Sequence, residues 1–235
     1  MYIVEGNIGV GKTTFLNLIR NNSSNIEVIE EPKDSWTAKV QGQSLLANFY
    51  TDTKRWAYTM ETWAMICRVL DHIKVQEDAN PYRVMERSIY SGHYCFAQNG
   101  YANGVLSELE WTIYLQWVEH LVHKQCKSPR GFIYLRANPE TCNQRVLKRN
   151  RESEKNLTLE YLKQIHTWHE RFLIQKEGLT AELASVPVLV LDCNEEFEQN
   201  PEKRVDFVRK VENFMGLGKI IKNNNFTLTQ NNPAL

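Results

Sequence analysis

The chain has 235 residues, 42% of them apolar, enough for one domain with a buried core. Lys+Arg and Asp+Glu balance at 28 each, so no global field draws the protein to nucleic acid or to an acidic membrane. No run approaches the ~18 apolar residues that span a bilayer. The five cysteines, Cys67, Cys95, Cys126, Cys142 and Cys193, are scattered without C-x-x-C spacing, as reduced thiols are.

A short apolar strand over residues 2–5 opens the chain and leaves no visible leader, which gives the expectation of a cytoplasmic protein. Residues 6–13, GNIGVGKT, then fit G-x-x-x-x-G-K-[ST] between that strand and a helical segment at 15–21. In this setting Gly6, Gly9 and Gly11 let backbone N–H groups turn toward phosphate oxygens. Asn7, Ile8 and Val10 complete the loop, and Thr14 follows on the helix. Lys12 would reach the β and γ phosphates, and the Thr13 hydroxyl would ligate Mg²⁺. Further strands are expected at 26–30, 83–86, 131–135 and 186–192. Segments of helical period lie at 54–75, 106–126, 159–175 and 201–215. This alternation predicts an α/β fold with a five-stranded parallel sheet covered by helices. Residues 1–215 form the predicted domain, and 216–235 read as a polar, mobile tail.

A regulatory GTPase would carry D-x-x-G and N-K-x-D, and neither string occurs. Carboxylates at strand ends stand in their place. Glu31 follows the second strand, where an open α/β sheet holds its ligands. A carboxylate there can take the proton of an acceptor hydroxyl, or it can be a solvated loop residue. Glu86 ends the third strand at the usual place for a Mg²⁺-bound water, and Arg87 follows it. In RVLKRNRESEK, Arg145 and Arg149 lie one helical turn apart and Arg151 follows. The run reads either as a solvated charged helix or as a basic lid over a triphosphate. Two H-x-x-H pairs, His120/His123 and His166/His169, lack a third ligand and read as helix-surface histidines.

The motifs EGNIGVGKTT, EEPKDSW, FYTDTKRWAYTMET, ERSIYSGHYCF, LSELEWTIYLQW, IYLRANPETCNQRVLKRNRESEK, LEYLKQIHTWHE and VLDCNEEF occur in this order over nearly all of residues 2–215. Together they resemble the deoxyribonucleoside kinases. The resemblance implies a P-loop kinase with a small Arg-rich lid at about 145–156, ATP with Mg²⁺ as donor, a deoxynucleoside acceptor and a homodimer joined partly through 106–126. It implies Glu31 as general base for the 5′-hydroxyl with Arg87 beside it, and Glu86 associated with Mg²⁺ through water. Tyr50 and Glu154 match the pair that holds the 3′-hydroxyl. Trp36 and Phe96 match the walls of the base pocket, with Met60 in its lining. Arg145, Arg149 and Arg151 match the lid arginines, and Glu196 and Phe197 the surroundings of the donor adenine.

Two positions depart from the family pattern. Relatives carry glutamine where this chain has Glu61. An ionised carboxylate only accepts hydrogen bonds and suits guanine, whereas a protonated one donates and accepts as the amide does. Relatives that keep the arginine at Arg68 place an aspartate where this chain has Gly92, so Arg68 is left to pair with Glu61 or to donate to guanine O6. The expectation is a deoxyribonucleoside 5′-kinase leaning to deoxyguanosine. A broad or thymidine- or deoxycytidine-preferring kinase, a nucleoside-monophosphate kinase and a non-catalytic nucleotide-binding protein are the alternatives.

Overall fold

The computed structural model describes residues 1–31, 35, 38–40, 42–151 and 154–217. The expectations for Trp36 and for residues 218–235 lie outside them. Five strands, β1 (Tyr2–Glu5), β2 (Glu27–Ile29), β5 (Arg83–Glu86), β6 (Gly131–Arg136) and β7 (Val188–Asp192), form one sheet in the order β2-β5-β1-β6-β7. Every pairing is parallel, so all carboxyl ends lie along one edge. The central strands β1 and β5 are buried throughout, as strands covered on both faces must be. A short antiparallel pair, β3 (Lys39–Val40) with β4 (Gln43–Ser44), stands apart.

Helix α1 (Lys12–Asn22) leaves the phosphate loop. Helices α2 (Leu45–Thr51) and α3 (Thr53–Gln76) follow β4, with Asp52 capping α3 through its carboxylate. Helix α4 covers residues 89–102 and contains a wider π turn at Gly92–Ala97. Helix α5 (Glu108–Trp117) starts at a reciprocal capping box between Ser107 and Glu110 and runs on as a π turn to His123. Helices α6 (Pro139–Arg149), α7 (Leu159–His169, extended by a π turn to Gln175), α8 (Ala181–Ser185) and α9 (Pro201–Met215) complete the fold.

One core lies under α1 and α9 and includes Phe15, Leu16, Ile19, Phe207 and Val211. A second lies under α3, α4, α5 and α7 and includes Val69, Tyr94, Tyr114, Val118 and Phe172, and a small third joins Met60, Ala64 and Cys67. Leu217 is buried in the first, so the packed chain continues past Met215, beyond the predicted boundary. His169 is also buried, stacked flat on Tyr134 at 6.0 Å, which corrects the expectation of a surface histidine. His123 pairs with Glu119 at 2.9 Å on the exposed face of its turn. All five cysteines are free, and four are buried.

Candidate active site

The carboxyl edge of the sheet opens into a cleft of about 410 Å³. Its floor is the phosphate loop. Gly9 there adopts φ +83°, and a Cβ added to it would overlap the Cys142 carbonyl oxygen and approach Val146 Cγ2 to 2.8 Å. Only glycine lets the loop lie this close to α6. Lys12 is buried and its ammonium donates to the carbonyls of Gly6 (2.9 Å) and Asn7 (2.8 Å). Burial, followed by the charge of Arg87, pushes the Lys12 pKa down to about 7. Asn7 ties the loop to α7 by donating to Leu162 O at 2.8 Å, and Val10 is sealed in the core. Ile8, Gly9, Gly11, Lys12, Thr13 and Thr14 face the cleft.

Thr13 Oγ1 donates to Glu86 Oε1 at 3.4 Å. Hydroxyl and carboxylate oxygens at this spacing beside a phosphate loop suit a hard divalent cation. Arg87, next in the chain, has φ +62°, a conformation that non-glycine residues adopt at a cost. Its N–H still joins the sheet at Val4 O (2.9 Å), and its guanidinium lies 4.6 Å from the centre of the Phe96 ring.

The other half of the cleft is lined by Glu31, Tyr50, Met60, Glu61, Arg68 and Phe96. Arg68 Nη2 donates to Glu31 Oε1 at 2.7 Å, and Arg87 Nε lies 3.9 Å from the same oxygen. Burial pushes the Glu31 carboxyl up, but the two guanidinium groups outweigh it and hold the carboxyl below its ordinary value. Arg68 thus engages Glu31, a partner that the sequence reading did not name for it. Gly92 supplies the space: Arg68 Nη1 lies 2.9 Å from where a Cβ at residue 92 would sit. Gly92 itself does not face the cleft. Burial pushes the Glu61 carboxyl up to about 7 against the pull of Arg68 and Arg87.

At the cleft mouth the end of α6 turns through Asn150, a left-handed C-cap. Arg149 clasps Glu154 with bonds of 2.7 and 2.6 Å, and Arg151 lies 3.7 Å from it. Burial and then the charge of Glu154 raise the Tyr50 hydroxyl to about 12, keeping it a neutral donor. Arg145 does not face the cleft. It donates to Val10 O at 3.1 Å and Glu195 O at 3.2 Å, strapping the phosphate loop to the segment after β7. Phe197 packs under Gly11, whose Cβ would meet the ring at 3.2 Å. The Glu196 carboxylate accepts the N–H groups of Glu198 (2.5 Å) and Gln199 (2.9 Å). Neither Glu196 nor Phe197 lines the cleft.

The family model for deoxynucleoside kinase matches residues 2–216. The chain belongs to the deoxynucleoside kinase family. It is 34% identical over 235 aligned residues to deoxycytidine kinase 2 of Gallus gallus, covering 90% of this chain and 89% of that one. It is 38% identical to mitochondrial thymidine kinase 2 of Homo sapiens over 207 residues, 85% of this chain and 76% of the relative. It is 34% identical to mitochondrial deoxyguanosine kinase of Xenopus laevis, covering 90% and 88%. The enzyme is thus an ATP-dependent phosphotransferase of a family that works with a divalent metal. The relatives' names include mitochondrial forms, so family membership spans compartments. Among the described residues no helix is long and apolar enough to cross a membrane.

Sequence reasoning missed several cleft residues of the kinase. Leu46 and Phe49 come from α2, a helix too short to show a period, and Ala64 lies one turn beyond Glu61. Tyr161 sits inside the quoted motif LEYLKQIHTWHE, but only the fold turns α7 so that it faces the cleft. Glu5 lies at the end of β1, fully buried. The Ser88 hydroxyl donates to it, and burial raises its carboxyl to about 6.

Proposed function

We propose that the enzyme passes the γ-phosphoryl of Mg²⁺–ATP to the 5′-oxygen of a deoxynucleoside lying between Glu31 and Phe96. The observation that carries this is Glu31, kept ionised by Arg68 at 2.7 Å in the same cleft as Lys12 and Thr13. The new bond joins the 5′-oxygen to the γ-phosphorus as the bond to the bridging oxygen of ADP breaks. The hydroxyl proton passes to Glu31. Lys12 leaves the Gly6 and Asn7 carbonyls for the phosphate oxygens, where its proton is favoured again. Arg87 faces the charge on the group in transfer. Thr13 and Glu86 would hold Mg²⁺, which would supply neutralising charge to the phosphates. Arg149 and Arg151 close over the triphosphate, while Arg145 holds the loop from behind. Tyr50 and Glu154 take the 3′-hydroxyl, so sugar binding engages the carboxylate that Arg149 clasps.

The lean to deoxyguanosine requires an ionised Glu61. With the carboxyl near neutrality, the ionised form serves the two donors of guanine, and the neutral form serves the donor–acceptor edge of cytosine or adenine. A monophosphate acceptor is disfavoured by a half-cleft that presents Glu31, Glu61 and Glu154 and commits Arg68 to Glu31. Assays of deoxynucleosides beside their 5′-monophosphates with ATP test the assignment. Turnover of the nucleosides supports it, and turnover of monophosphates alone overturns it.

The homodimer belongs to the same reading. Leu109, Ile113 and Trp117 follow each other at i, i+4 and i+8 on α5 and remain 70%, 37% and 42% exposed. An apolar stripe of this kind seeks a partner surface, and a second copy supplies one.

A further inference from the structure

A second cavity of about 350 Å³ adjoins the cleft. Phe49, Tyr50, Glu61, Phe96 and Tyr161 line both, so Glu61 stands where they meet. Beyond this junction the walls are Ala57 of α3, Gly100 of α4, Val105 and Leu106 after it, and Leu157 ahead of α7. The far rim, with Asn103, Asn156, Thr158 and Glu160, is exposed. The Asn103 amide and the Asn99 side-chain carbonyl oxygen are already engaged. Asn103 Nδ2 donates to Asn99 Oδ1 at 3.0 Å, and Trp168 Nε1 donates to the same oxygen at 3.1 Å.

Gly100 is the unusual wall residue. It lies in a helical segment, Gln98–Ala102, where glycine is disfavoured, and its φ is not left-handed. A Cβ there would meet Leu106 at 3.7 Å, an ordinary contact. Neither backbone nor packing requires glycine at this position. A larger side chain there would extend from the chamber wall beside Leu106 and take up part of its space.

We propose that the chamber is an annex of the base pocket that admits deoxynucleosides alkylated or arylated on the exocyclic amine of the base. The proposal rests on the kinase reading above. A base stacked on Phe96 with its edge toward Glu61 directs that amine to the junction. One N–H remains to donate to Glu61 while the substituent enters the chamber. The volume, that of roughly ten waters, accommodates a benzyl group, and the open rim tolerates a longer one.

The test measures kcat/KM at pH 7 for thymidine, deoxycytidine, deoxyadenosine and deoxyguanosine and for the N-benzyl derivative of each of the last three. Wild type, Gly100→Leu and Val105→Phe are compared, with thermal unfolding to verify folding. For at least one base the wild type should turn over the derivative within about tenfold of its parent. Both fillers should then lower the derivative more than tenfold and leave the parent within about twofold. The annex is overturned if parents are phosphorylated and no derivative is, if both fall together in the folded variants, or if thymidine alone is a substrate. A wild type that phosphorylates no deoxynucleoside overturns the kinase reading itself, and the annex with it.

Discussion

At Glu61, burial opposes ionisation while Arg68 and Arg87 favour it, and the balance leaves the carboxyl at about 7. Below that pH it donates from one oxygen and accepts at the other. Above it, both oxygens only accept. The ratio of kcat/KM for deoxyguanosine over deoxycytidine should therefore rise about tenfold or more between pH 6 and pH 8, since a mismatched buried hydrogen bond costs ~1–3 kcal/mol. Glu61→Gln should flatten that dependence and favour deoxycytidine throughout. A wild-type ratio independent of pH would show that Glu61 does not read the base. Glu31 has the opposite bias, because Arg68 and Arg87 hold its carboxyl low and it stays ionised at the pH of the assay. Glu31→Gln removes the proton acceptor but keeps the shape, and kcat should fall roughly 10²–10⁴-fold. A smaller fall in rapid-quench single turnovers would assign the proton elsewhere. The positions of Glu31 and Glu61 were legible from their motifs. Their protonation was not, because it turns on where Arg68 points, and its partner Glu31 lies 37 residues away in the chain.

The phosphate loop, α5 and the end of α6 each carry a consequence of their own. Gly9→Ala must push the loop off the Cys142 carbonyl and Val146 while holding φ +83°. Positive φ and overlap together cost on the order of 1–3 kcal/mol. The variant should lose a few degrees of Tm and bind ATP at least tenfold more weakly, both readable by thermal shift. Unchanged affinity would mean that the loop has slack which this packing denies. On α5, Ile113→Glu places a charge in the exposed stripe. By light scattering, wild type should run at twice 27.5 kDa and the variant at 27.5 kDa. A monomeric wild type removes the proposed interface. Helix α5 was readable in advance from the helical period of 106–126, and the box of Ser107 and Glu110 sets its start. Helix α4 was not, since a π turn at Gly92–Ala97 breaks the 3.6-residue period there. That turn lies where Phe96 joins the cleft wall.

Across the whole molecule, the five apolar runs of the sequence became the five strands of one parallel sheet, each within two residues of its predicted ends. Strand order was beyond the sequence reading, because it depends on which buried faces meet across long crossovers. It matters for function, since β1 lies between β5 and β6 and thereby sets Lys12 and Thr13 beside Glu86 and Arg87. The basic run that the sequence suggests as a lid divides its arginines between two places. Arg149 and Arg151 face the cleft and Arg145 straps the loop from behind, a division fixed by helical phase against a neighbouring segment. The central claim is that Lys12, Thr13 and Glu31 belong to one phosphoryl-transfer site. The most direct test incubates wild type and Lys12→Ala with Mg²⁺–ATP and each of the four deoxynucleosides and identifies the product. Wild type should yield a deoxynucleoside 5′-monophosphate and ADP in equal amounts, and Lys12→Ala should be slower by a hundredfold or more, about 2.7 kcal/mol of lost stabilisation. No product from any of the four, or equal rates for the two proteins, would contradict the account.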